Sequence, residues 1–133
     1  MKKLVAVLGL FLAMSFIPSK AIAQDNNTET ELMVVKFHAD WCGSCRALGP
    51  VLTDLTNKLD GKPVLFINLD FTNNTTKHQS KLLASSLGIR SIVDHNNATG
   101  FLLVIDSKTK EVKAKLTKNH SVKEMAAEIN SLL

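Results

Sequence analysis

Two segments of this chain are apolar at almost every position: Leu32-Met33-Val34-Val35-Lys36-Phe37 and Val64-Leu65-Phe66-Ile67-Asn68-Leu69-Asp70. A strand wetted on one face alternates apolar and polar residues, whereas a run without alternation belongs to a strand covered on both faces. Between the two runs, Leu48, Val51, Leu52, Leu55 and Leu59 recur at helical spacing within Cys42–Leu59, and Gly61 follows as a stop. Pro50 falls inside that stretch and predicts a kink. Two buried strands joined by a helix form a parallel pair with a right-handed crossover. The chain is thereby confined to an α/β sheet with helices laid on it.

The remaining pattern extends the same sheet. A helix is expected over residues 75–87, ended by Gly88, with its apolar side formed by Leu82, Leu83 and Leu87. Phe101–Asp106 reads as a third strand, and a turn at 107–110 leads to a fourth over 112–116, making a hairpin. Ser121-Val122-Lys123-Glu124 has the form of a capping box. It opens a last helix with Val122, Met125, Ala126, Ile129 and Leu132 on one side. The expected order is βαβαββα, a mixed four-stranded sheet flanked by helices, over one domain spanning 32–133.

The start of the chain predicts its compartment. Met1-Lys2-Lys3, the apolar run Leu4–Ile17 and the small residues Ala21 and Ala23 follow the order of a secretory signal peptide cut after Ala23. The run is shorter than the ~20 apolar residues that span a bilayer. The expected location is therefore periplasmic or secreted, with a retained membrane anchor as the other reading. Residues 24–31 are polar throughout and read as a flexible lead-in. Of the 16 basic residues, Lys2, Lys3 and Lys20 belong to the export segment, leaving 13 against 12 acidic ones. No basic cluster points to a nucleic-acid partner, and a monomer is expected.

Cys42 and Cys45 are the only cysteines, and they lie where the first strand turns into the first helix. A zinc site needs three or four ligands, and His38, His78, His95 and His120 show no paired spacing. Nor does His or Met spacing supply a copper site. A structural disulfide that closes so short a loop removes little chain entropy. A working dithiol fits better, with no metal or organic cofactor. Cys42 at the helix start meets unpaired N–H groups and the positive end of the dipole, which favour thiolate. Cys45, one turn in, lies close enough to attack a mixed disulfide on Cys42.

The stretch Phe37-His38-Ala39-Asp40-Trp41-Cys42-Gly43-Ser44-Cys45-Arg46, with Pro50 beyond it, resembles the active-site segment of the thioredoxin family. Asn68-Leu69-Asp70 and Leu87-Gly88-Ile89-Arg90 agree with the same family downstream. The resemblance implies a minimal thioredoxin-like fold over 32–133, without the family's N-terminal strand and helix. It implies a thiol–disulfide oxidoreductase of the protein-disulfide reductase type, cycling between a Cys42–Cys45 disulfide and a dithiol. Trp41 would form a flat apolar wall, and Gly43 and Ser44 would set the turn. The implied partners are client protein thiols or disulfides and a membrane electron-transfer protein.

Four departures set this chain apart within that resemblance. Ser44 stands where thioredoxins usually have proline. Lys36 replaces a buried Asp, and Phe66 replaces that acid's lysine partner. Lys36 reads either as a strand residue whose amine reaches water or as a positive charge that lowers a cysteine pKa. The family's cis-proline is absent, its position falling to Thr99, with Gly100 as the alternative, and a trans bond is expected there. The link 92–100 is long and should lie beside the cysteines, with His95 as an exposed loop residue or a base near the thiols. Loss of the acid and the proline motivates a second reading, a thioredoxin-fold binding module whose cysteine pair is vestigial or regulatory.

Overall fold

A computed structural model describes residues 29–133. Strand β1 (Leu32–His38) runs through the interior of a four-stranded sheet, with one strand on one side of it and two on the other. It pairs in parallel with β2 (Val64–Asp70) and antiparallel with β3 (Phe101–Asp106), and β3 pairs antiparallel with β4 (Val112–Thr117). The helices are α1 (Gly43–Lys58), α2 (Asn74–Ser86), the single turn α3 (Arg90–Asp94) and α4 (Val122–Ser131). The order is the expected mixed α/β sheet with one addition. The start of the expected long link, residues 92–94, winds together with Arg90 and Ser91 into α3, with Ile89 and Val93 buried and an Arg90–Asp94 ion pair along the turn. Five residues are too few for helical periodicity to show.

Alternation along β1 splits the core in two. Leu32 and Val34 pack with Leu48, Leu55 and Leu59 of the α1 region and with Met125, Ala126 and Ile129 of α4. Met33, Val35 and Phe37 point to the other face, among Leu69, Ala84, Ile89, Val93 and Phe101. All six residues from Leu32 to Phe37 are buried, as the unbroken apolar run requires. Strand β2 is less covered than its sequence implied. Only Ile67 and Leu69 are fully buried, and Leu65 is exposed, because β2 is an edge strand.

Helix α2 corrects the expected apolar face. Leu82 and Leu83 are 56% and 42% exposed, and the buried residues are Ser80 and Ala84. The Ser80 hydroxyl accepts from the Asp70 N–H at 2.7 Å and donates to the Asp70 carbonyl at 2.8 Å. This polar clasp on the end of β2 sets the rotation of α2 and turns its leucines outward. Helix α4 begins as its sequence requires: Glu124 N–H donates to Ser121 Oγ, and Ser121 N–H donates to the Glu124 carboxylate at 2.7 Å. Helix α1 continues through Pro50, which has no N–H to give the Arg46 carbonyl.

The expected signal peptide over 1–23 and residues 24–28 lie outside the described residues. Residues 29–31 run beside the β3–β4 turn. Ser107 N–H donates to the Glu31 carbonyl at 2.9 Å, its hydroxyl donates to the Thr30 carbonyl, and Lys108 pairs with Glu29. Among the described residues no helix is long and apolar enough to cross a membrane.

Candidate active site

The site is assembled where β1 ends. Cys42 has extended backbone angles (φ −90°, ψ 113°) and occupies the cap position of α1. An N-cap side chain accepts one of the first free N–H groups of the helix, a task usually done by oxygen. Here Cys42 Sγ takes it, accepting from the Cys45 N–H at 3.2 Å. The sulfur therefore lies against the positive end of α1, where negative charge is favoured. Cys42 and Cys45 form a disulfide with their Cα atoms 5.2 Å apart. Cys45 is 1% exposed and Cys42 8%, so both sulfurs sit low in the surface and Cys42 is the more accessible. Cys45 Sγ is 3.6 Å from the Phe37 carbonyl oxygen, which can accept a hydrogen bond from the thiol once the bridge is reduced.

Gly100 closes the other side. Its N–H donates to the same Phe37 carbonyl at 2.8 Å, and its φ of +89° is one that L side chains rarely adopt. A Cβ at this position would lie 2.7 Å from Ser44 Cβ and 3.2 Å from Cys42 Sγ. It is thus Gly100, the alternative, that meets the cysteines, while Thr99 is half-buried beside it and lines a neighbouring cavity. The described peptide bonds are all trans. Gly43, exposed at the first turn of α1, has open space around it, and Ser44 is half-buried under Gly100.

A second set of bonds holds the loop before Cys42. Asp40 N–H donates to Thr72 Oγ1 at 3.0 Å, and the Trp41 indole N–H donates to the Thr72 carbonyl at 3.2 Å. Thr72 in turn donates its N–H and hydroxyl to Asp70. The Thr72 hydroxyl, more than any other group, holds the Asp70 carboxyl below its ordinary range. Trp41 is left 65% exposed, its ring edge anchored and its flat face open. His38 Nε2 meets Asp40 Oδ1 at 3.0 Å, while His38 Nδ1 is buried without a partner among the described residues. Beneath the loop, Phe37 stacks between Phe71 and Phe101, with ring centroids 5.6 and 4.7 Å away. In the sequence Asp70 stands out only as the end of a family-like segment and Thr72 not at all; their role in holding this loop emerges in the fold, although the Asp-x-Thr spacing that closes the turn is visible.

Lys36 is buried, 7% exposed, on the face of β1 that continues from Leu32 and Val34. No hydrogen bond or ion pair within the described residues meets its amine, and burial pushes its pKa down. Phe66 packs on the same core and is half-buried. His95 is exposed just past α3, with Nδ1 2.6 Å from the carbonyl of Ser91 in that helix, as a loop histidine would be. Among the described residues no three His, Cys, Asp or Glu side chains gather into a metal site. The arrangement can form and break one disulfide: a helix-capped sulfur, a deeper partner one turn away and an acceptor carbonyl behind it.

Comparisons with known proteins agree with this chemistry. The thioredoxin family profile matches residues 18–91. Thioredoxin from Chlorobaculum thiosulfatiphilum is 36% identical over 77 residues, covering 53% of this chain and 64% of the relative. Thioredoxin from Synechocystis is 38% identical over 76 residues, covering 56% of this chain and 64% of the relative. The chain thus spans a little under two thirds of either relative. A solved structure titled as that of a malarial protein superposes with a TM-score of 0.51 at 17% identity, over 77% of this chain and 98% of that one. At that identity the likeness is one of fold.

Two outcomes follow from this geometry. Gly100→Ala places a methyl into Ser44 and Cys42 at an unfavourable φ, and should cost about 2–5 kcal/mol in urea unfolding. Gly43→Ala, in open helical space, should stay within about 1 kcal/mol of the parent. Equal midpoints for the two variants would refute the close approach. The second outcome concerns Lys36. Because burial lowers its folded pKa, the unfolded chain holds the proton up to a higher pH than the folded chain. Stability therefore rises with pH between those two values. Lys36→Met should be more stable than the parent at about pH 7, with the gain shrinking by about pH 10. A gain independent of pH would place the amine in water.

Proposed function

The chain belongs to the thioredoxin family, and from that premise we propose that it is an exported thiol–disulfide oxidoreductase that reduces or exchanges disulfides in client proteins. The observation that carries this reading is the Cys42 sulfur in the cap position of α1. In the reduced protein the Cys42 thiolate attacks one sulfur of a client disulfide. A mixed disulfide forms, and the other client sulfur leaves as thiolate. The Cys45 thiolate then attacks Cys42 Sγ, restoring the Cys42–Cys45 bridge and releasing the second client thiolate. The client gains two electrons and the protein loses two.

A further round needs a two-electron donor. In an oxidising compartment that role suits a membrane electron-transfer protein, with client cysteines such as those of cytochrome c maturation on the receiving side. The proposed export rests on the basic, apolar and small-residue order of residues 1–23. The proposed working state is a monomer, since the chemistry needs one Cys42–Cys45 pair and one face. Lys36, buried six residues before Cys42 with no counter-ion among the described residues, adds positive potential that favours thiolate whenever it is charged.

The test is turnover of a protein disulfide with a small dithiol as electron source. Limiting alkylation of the reduced protein should label Cys42 first. Cys45→Ser should accumulate the mixed disulfide through Cys42, and Cys42→Ser should reduce turnover to background. Preferential labelling of Cys45 would reverse the roles, and no turnover by the parent would favour the binding-module reading. For export, mass spectrometry of protein from the extracytoplasmic fraction should find a chain beginning at Gln24. Met1 retained in the membrane fraction would show an anchor instead.

A further inference from the structure

A cavity of about 180 Å³ opens next to the disulfide. Trp41 and Thr99, both lining it, directly precede Cys42 and Gly100, the residues that face each other across the sulfur. Its base is apolar, formed by buried Val93 and half-buried Phe71, and the open face of Trp41 makes one wall. Its rim is charged. Asp94 is on the rim, but both its oxygens are taken, one by Lys81 at 3.1 Å and the other by Arg90 at 2.7 Å. These two cations hold the Asp94 carboxyl below its ordinary range, Lys81 contributing most. Lys77, one turn before Lys81 on α2, also lines the cavity and has no acidic partner within 4 Å among the described residues. Two cations thus neutralise Asp94, and Lys77 is left as a cation lining the cavity without an acidic partner among the described residues. The side chains of Asn97 and Thr99 make no hydrogen bond within the described residues and are free to donate.

We infer that this cavity selects client disulfides carrying an aspartate or glutamate within about three residues of the reacting cysteine. Extended chain advances ~3.3–3.6 Å per residue, so a side chain that close to a cysteine held at Cys42 reaches the cavity. Its aliphatic stem lies against Trp41 and Phe71, and its carboxylate pairs with Lys77. The base could hold any apolar side chain, but the unpaired ammonium favours an acid and disfavours a lysine. The loop that closes the cavity is the long 92–100 link, so this selectivity belongs to the segment in which the chain departs from its family. The inference deepens the oxidoreductase reading and rests on it.

Disulfide peptides identical except for Glu, Gln or Lys two residues from the cysteine test it against the pre-reduced protein. In a single turnover at low salt, the Glu peptide should oxidise the protein about two- to fivefold faster than the Gln peptide, and the Lys peptide slower than both. The preference should fade at high salt. In Lys77→Gln the Glu-to-Gln ratio should collapse to about one, whereas Lys58→Gln, at the far end of α1, should keep it. An unchanged ratio in Lys77→Gln, or none in the parent, would overturn the pocket assignment. Trp41 is the only tryptophan, so its fluorescence reports occupancy without chemistry when the peptide cysteines are replaced by serine. If no peptide oxidises the protein, the oxidoreductase reading fails. Tighter, Lys77-dependent binding of the Glu peptide would then still support the pocket, and equal binding of all three would sink it.

Discussion

Strand β1 is hydrogen-bonded along both edges and covered on both faces, and the rest of the molecule is arranged around that fact. A strand held in this way has one free direction, beyond its carboxyl end. There the chain must turn and begin α1, and the first N–H groups of α1 need an acceptor. The Cys42 sulfur meets that need, so a requirement of helix initiation and a requirement of thiol chemistry are satisfied by one atom. The Phe37 carbonyl, on the last turn of the pleat, receives Gly100 N–H and faces Cys45 Sγ. That carbonyl ties the two arms of the site to a buried interior strand.

The loop bearing Cys42 is secured from its far side by the end of β2. Asp70 gathers the Thr72 N–H and hydroxyl, and Thr72 then holds Asp40 and the Trp41 ring. On the opposite side of the same residue, the backbone of Asp70 is clasped by Ser80. One residue therefore links the tilt of Trp41 to the rotation of α2, and α2 in turn carries Lys77 and Lys81 to the rim of the cavity. These are short polar contacts that exclude neighbouring registers, whereas apolar packing alone would let the helix roll toward its leucines.

The departures from the family acquire physical meaning in this setting. A proline at position 100 would have no N–H, whereas Gly100 donates to Phe37 and lets its backbone approach the sulfur where a Cβ would clash. Where the family places a buried acid, this chain buries an amine with no counter-ion within the described residues, so this position contributes positive charge or none, where the acid would contribute negative charge. The long link, wound partly into α3, supplies Asp94 and the wall of the cavity.

The sequence by itself determined the sheet, its crossover, the last helix with its capping box, and the cysteine pair at the strand–helix turn. These are written in local periodicity and in residue types whose chemistry holds wherever they fall. The outward turn of Leu82 and Leu83, the half-exposure of β2, the choice of Gly100 over Thr99 and the meeting of Trp41 with Thr72 were decided only in the folded molecule. Each depends on groups about ten to sixty residues apart competing for the same space or the same hydrogen bond. A periodicity records which residues avoid water. It holds no record of which donor reaches which acceptor when two finished elements close on each other, because that distance exists only after both have packed.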